Sequence, residues 1–79
     1  MNNLALKGRR VGSGMKQKNV AEKLGITPKT YCQHENAKTC KFTPEQIKIM
    51  AELFKLTLED VNTIFFSNAL PNGKAEETA

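Results

Sequence analysis

The sequence has no tryptophan, one tyrosine, two cysteines and three prolines in 79 residues. Two cysteines are too few to staple a small secreted domain, so Cys32 and Cys40 do not read as a disulfide framework. No apolar run approaches the ~18 residues of a membrane-spanning helix. The opening Met1-Asn2-Asn3-Leu4-Ala5-Leu6-Lys7 lacks both the apolar stretch and the small-residue cleavage site of a secretory signal. A soluble, cytoplasmic protein with no membrane partner is therefore expected. Period-two alternation of apolar and polar residues is also missing, which argues against β-sheet. A chain this short buries only about 60% of its unfolded surface, enough for one modest core but not for a deep ligand cavity or an attached sensor domain.

Charge is present and unevenly placed. Residues 1–41 hold nine Lys and Arg against two Glu, a formal +7, whereas residues 42–79 hold three basic groups against six acidic ones, a formal −3. A basic half joined to an acidic half suits a protein with one surface turned to a polyanion.

Start and stop signals divide the chain into about five short helices. Thr27, Thr43 and Thr57 stand where N-caps belong, and Pro28 and Pro44 follow two of them at a position that needs no N–H. Gln46, three residues after Thr43, completes a capping box. Ile47, Met50, Ala51 and Phe54 then recur at i, i+3, i+4 and i+7, widened by Ile49 and Leu53. Upstream, Lys16 to Leu24 reads as a compact helix with Val20, Ala21 and Leu24 on one face and Gly25 as a left-handed stop. Leu6, Arg10 and Val11 suggest an earlier helix ending at Gly12-Ser13-Gly14. Leu58 to about Phe65 forms the last. Residues 1–66 are expected to form an all-α domain, and residues 67–79, with little apolar content and two breakers, a disordered polar tail.

The most informative stretch runs Gln17-Lys18-Asn19-Val20-Ala21-Glu22-Lys23-Leu24-Gly25-Ile26-Thr27-Pro28-Lys29-Thr30-Tyr31. A helix, a glycine turn, an apolar plug at Ile26, a capping threonine and a second helix make a helix-turn-helix. Ala21 is small where the two helices must cross closely, and Tyr31 anchors the second helix from its inner face. A generic helical hairpin shares the turn glycine but rarely all of these at this spacing.

With Arg10, Gly14-Met15, Glu35, Asn36 and Lys38 added, then Leu53, Leu56-Thr57-Leu58 and the Ile64-Phe65-Phe66 ending, the stretch resembles the Cro/repressor-type (XRE-like) helix-turn-helix family, in particular its small phage or prophage-encoded members. The resemblance spans roughly Leu4 to Phe66. It implies a fold of five helices like the DNA-binding domain of phage repressors. The second motif helix would lie in the major groove, and a homodimer would occupy a two-fold operator in double-stranded DNA to regulate transcription.

Position by position, the family pattern places Pro28, Lys29 and Gln33 on the base-reading face. Glutamine can pair bidentately with adenine, lysine can donate to guanine, and a proline ring can touch a thymine methyl. Gln17, Asn36, Lys38 and Lys41 are implied as phosphate contacts. Arg10 and Glu35 match a pair that braces the first helix against the recognition helix. Three positions depart from the pattern. Ala37 stands where glycine is usual, which predicts a strained left-handed turn there or one moved to Asn36. Lys16 replaces a capping residue, which predicts a weak helix start. His34 replaces an apolar residue and is expected to be half-buried and satisfied by a backbone group.

Cys32, His34 and Cys40 point in different directions and lack a fourth ligand, so no metal site is expected. No acid–base constellation or phosphate-cradling loop is present, so neither a cofactor nor catalysis is expected. Leu56, Leu58, Val61, Ile64, Phe65 and Phe66 are more apolar than one short helix readily hides. Either they close the core, or Phe65 or Phe66 joins a symmetric dimer contact. Two alternatives stay open: an antitoxin-type regulator that also binds a toxin through its C-terminal half, and a protein-interaction module on the same fold without DNA binding.

Overall fold

The computed structural model describes residues 1–66, and these form five helices with no strand among them: α1 (Asn3–Gly12), α2 (Gln17–Leu24), α3 (Pro28–Glu35), α4 (Pro44–Leu53) and α5 (Leu58–Phe66). The polar tail expected over residues 67–79 lies outside the described residues. No helix among those described is long and apolar enough to cross a membrane.

Short polar side chains start the helices. Asn2 Oδ1 accepts from the Ala5 N–H, Thr27 Oγ1 from that of Thr30, and Thr43 Oγ1 from that of Gln46, each at 3.1 Å. In return, Gln46 Oε1 accepts from the Thr43 N–H at 3.0 Å, and Asp60 Oδ2 accepts from that of Thr57. Each pair satisfies N–H groups that have no acceptor inside the helix. At Lys16 the start is half made: Asn19 Oδ1 accepts from the Lys16 N–H at 3.1 Å, but an ammonium has no lone pair with which to reciprocate.

The ends of α2 and α4 share one geometry. Gly25 at φ +74° closes α2, with the Ile26 N–H bonded to the Ala21 carbonyl at 3.0 Å. Lys55, at φ +54°, does the same for α4 without being glycine, and the Leu56 N–H reaches the Ala51 carbonyl at 2.8 Å. A side chain in this conformation costs about 1 kcal/mol. The left-handed turn expected at Ala37 or Asn36 does not occur. Asn36 ends α3 at φ −98°, and Lys55 is the only non-glycine residue of positive φ among those described. The connection to α4 turns without left-handed backbone, so it needs no glycine.

All five helices bury residues in one core. Leu6, Val20, Tyr31, Met50 and Phe65 are its largest fully enclosed side chains. Phe42, outside any helix, packs on Tyr31 at 5.7 Å between ring centroids and edge-on to Phe65 at 6.1 Å. It stands immediately before the Thr43 cap with Ile47 four residues after that cap, the positions of a hydrophobic staple. Phe65, at 2% exposure, is enclosed, which follows the first of the two uses expected of α5, closing the core, and leaves its ring out of reach of a dimer contact. Its ring closes the space between α5 and Phe42, a use worth about 1.5–3 kcal/mol. Phe66 is half-buried.

The α1 and α5 helices pack together, tied by the Asn2 N–H to the Ile64 carbonyl at 2.7 Å. The inward face of α1 is Leu6 and Arg10. Val11, which helped to mark this helix in the sequence, is 57% exposed.

Candidate nucleic-acid interface

Of all helix pairs, α2 and α3 make the most extensive contact, with fully buried Val20, Ala21 and Tyr31 in the core between them. Tyr31 and Glu35 are one helical turn apart and both face inward. There Glu35 meets Arg10 of α1. Arg10 Nε donates to Glu35 Oε2 at 2.8 Å, and Arg10 Nη1 donates to the Met15 carbonyl at 2.9 Å. The Tyr31 hydroxyl donates to Oε2 and the Gln17 amide to Oε1, each at 2.8 Å. Burial alone would raise the Glu35 pKa. The bonds from Arg10, Gln17 and Tyr31, with the Arg10 charge, outweigh it and hold the carboxyl below its ordinary value. Burial first, then the Glu35 bond and charge, pushes the Tyr31 hydroxyl far upward, so it stays a donor.

The C-terminal end of α3 is held from the same side. Asn3 Nδ2 donates to the carbonyls of Glu35 at 2.5 Å and Ala37 at 2.8 Å, and the Met1 ammonium donates to the Lys38 carbonyl at 3.3 Å. These bonds join residues more than thirty positions apart and have no local pattern in the sequence.

With its inner side fixed, α3 turns its other side to solvent. Lys29, Gln33 and Asn36 are exposed at i, i+4 and i+7, so they share one stripe. Pro28, also exposed, occupies the first helical position. Lys38 and Lys41 are exposed on the connection to α4. Six of the seven expected contact residues therefore stand on or just after the outer side of α3, and Lys38 is linked to the start of the chain.

Two of the seven, Gln17 and Asn36, are also bonded within the protein. Gln17 is half-buried and its amide nitrogen is turned to Glu35, because that carboxylate offers a charged acceptor at the start of α2. Asn36 has its amide nitrogen turned back on α3, 2.8 Å from the Cys32 carbonyl oxygen.

His34 is half-buried as expected, but no backbone group satisfies it. Its Nδ1 is buried without a hydrogen-bond partner, and the ring stands edge-on to Phe42 at 5.4 Å. An aromatic neighbour fills the space that a polar acceptor or donor would need. Cys32 and Cys40 are free thiols, and among the described residues no group of three His, Cys, Asp or Glu side chains could hold a metal ion.

Gln17 and Asn3 are among the contributors to this site whose bonds the sequence did not reveal. Side-chain amides bond across long sequence separations with no periodicity to mark them.

The fold and site thus define a small all-helical domain of five helices, with a braced α2–α3 pair that presents a polar, basic outer face. No protein-family model matches the chain, and no curated protein or solved structure shows significant similarity to it.

Proposed function

We propose that this chain is a sequence-specific double-stranded-DNA-binding regulator of the Cro/repressor type, acting as a homodimer on a two-fold operator. The observation that carries the reading is the division of α3 into two sides. Tyr31 and Glu35 are locked inward by the Arg10 brace, while Lys29 and Gln33 stand outward in one stripe. That is what a helix needs to enter the major groove as a rigid body with donors and acceptors aimed at base edges. Pro28 at the start of the stripe offers an apolar ring to a thymine methyl, and Lys38 and Lys41 offer charge to phosphates flanking the groove. The first-turn N–H groups of α2, beside Gln17, suit a further phosphate. The acidic second half of the sequence then lies away from the duplex. The protein would act by occupancy, blocking or recruiting polymerase, in the cytoplasm of a bacterial cell or phage-infected host, and it would bind rather than catalyse.

The test is the salt dependence of binding to a pool of random duplexes. A protein that neutralises several phosphates loses affinity steeply between about 50 and 200 mM salt as counterions are released. Binding that is absent, or indifferent to salt, overturns the reading. Palindromy in the selected sequences would report the dimer.

A second reading, in which a protein partner is engaged through part of the same fold, is favoured by one observation: Leu4 and Leu58 are each 82% exposed. An antitoxin-type regulator, or an interaction module without DNA binding, would use such residues. Loss of partner capture in Leu58→Ser with duplex binding unchanged would support it.

A further inference from the structure

Asn36 belongs to the outer stripe of α3, yet its side chain is already bonded. Its amide nitrogen lies 2.8 Å from the carbonyl oxygen of Cys32 and 3.5 Å from Cys32 Sγ. A carbonyl oxygen has no hydrogen to give, so the amide atom facing it must be the nitrogen; the partner determines which way the amide is turned. The amide hydrogens are directed onto α3, and the polar atom left for a ligand of this exposed residue is Oδ1, an acceptor. Phosphate oxygens are acceptors as well, so Oδ1 and a phosphate have no hydrogen to share. The matching groups in a major groove are exocyclic amino groups, N4 of cytosine and N6 of adenine. Position agrees with this chemistry. Asn36 follows Gln33 by three residues, about 4.5 Å along the helix axis, which is of the order of one base step of about 3.4 Å.

We propose that Asn36 is a specificity-determining residue whose Oδ1 accepts a hydrogen bond from the amino group of a cytosine or adenine beside the base pair read by Gln33, and is not a ligand of the sugar–phosphate backbone. Cys32 is its positioning residue, holding the amide through its carbonyl oxygen and thiol. The inference rests on the DNA-binding reading and assigns one more base contact to the same helix face.

The experiment selects bound sequences from a random duplex pool with the wild-type chain, Gln33→Ala, Asn36→Ala and Asn36→Lys, each checked for an unchanged helical spectrum. The expected result for Asn36→Ala is loss of a preference of about two- to tenfold for cytosine or adenine, the worth of one hydrogen bond. The loss should fall at a position next to the one altered by Gln33→Ala, with other preferences and the salt slope unchanged. Asn36→Lys, which replaces an acceptor by a donor, should move that position towards guanine. Unaltered preferences with a uniform loss of affinity for the alanine variant, or a uniform gain for the lysine variant, would return Asn36 to the phosphate backbone. That overturns the proposal and leaves the DNA-binding reading standing. A wild-type chain that binds no duplex overturns the DNA-binding reading itself, and the proposal with it.

Discussion

Arg10 and Glu35 come from different helices, twenty-five residues apart, and meet as an ion pair of 2.8 Å with side-chain exposures of 8% and 3%. Around them the carboxylate also accepts from Tyr31 and Gln17, so neither of its oxygens is left without a donor. A buried carboxylate so fully bonded is costly to disturb from either side, and it ties α1, α2 and α3 at one point.

Removing the cation leaves that carboxylate enclosed with only neutral donors. Arg10→Met should therefore lower stability by about 3–5 kcal/mol, the usual cost of breaking one partner of a buried pair. For a domain of this size each kcal/mol corresponds to about 4–8 °C in Tm. A thermal melt within about 2 °C of wild type would remove the brace from the account of α3.

Acid should act through the same group. The folded Glu35 pKa lies below its ordinary value of 4.5, so the unfolded chain takes up a proton first as pH falls. The contribution of Glu35 is complete above that ordinary value and is lost as pH drops through the folded one. Urea midpoints measured from pH 7 to pH 3 should fall on the acid side, and Glu35→Gln should be less stable at neutral pH with a flatter acid limb. An equally steep acid limb in that variant would place the acid sensitivity elsewhere.

Lys55 holds a left-handed conformation at the end of α4 that glycine adopts without strain. Lys55→Gly should accordingly raise stability, by about 0.5–1 kcal/mol after the added freedom of the unfolded chain is counted. Chemical denaturation reads the sign directly. Destabilisation would mean that the lysine stem covers apolar surface worth more than the strain.

The two sides of the proposed interface should separate by their effect on specificity. Gln33→Ala is expected to change which base is preferred at one position, by about 1–3 kcal/mol if the contact is bidentate. Lys38→Ala should weaken all duplexes alike and reduce the salt slope by about one. Parallel, uniform losses from both variants would show that Gln33 touches no base.

How much of this was legible beforehand depends on the range of each interaction. Thr27, Thr43 and Thr57 cap their helices because a hydroxyl three residues from an orphan N–H needs no other part of the molecule. Gly25 ends α2 for an equally local reason, and the i, i+3, i+4 spacing of Ile47, Met50 and Ala51 set the register of α4. Lys55 was hidden because a lysine gives no sign of a left-handed turn. The pairing of Arg10 with Glu35 came only through family resemblance, since nothing local joins them. The sequence left the inward place of Phe65 as one of two alternatives, and the use of Phe42 was not legible, although its staple position was a usable signal.

What the sequence alone determined was the all-α class of the described residues, the capped starts of α3, α4 and α5, and the concentration of positive charge in residues 1–41, since these follow from local propensity, capping and composition. Only the tertiary structure decided which atoms remain for a ligand. The Gln17 amide is bonded to Glu35 and the Asn36 nitrogen to the Cys32 carbonyl, and neither bond is marked in the sequence. A side-chain amide can donate or accept, and the choice is made by whatever neighbour folding brings to it.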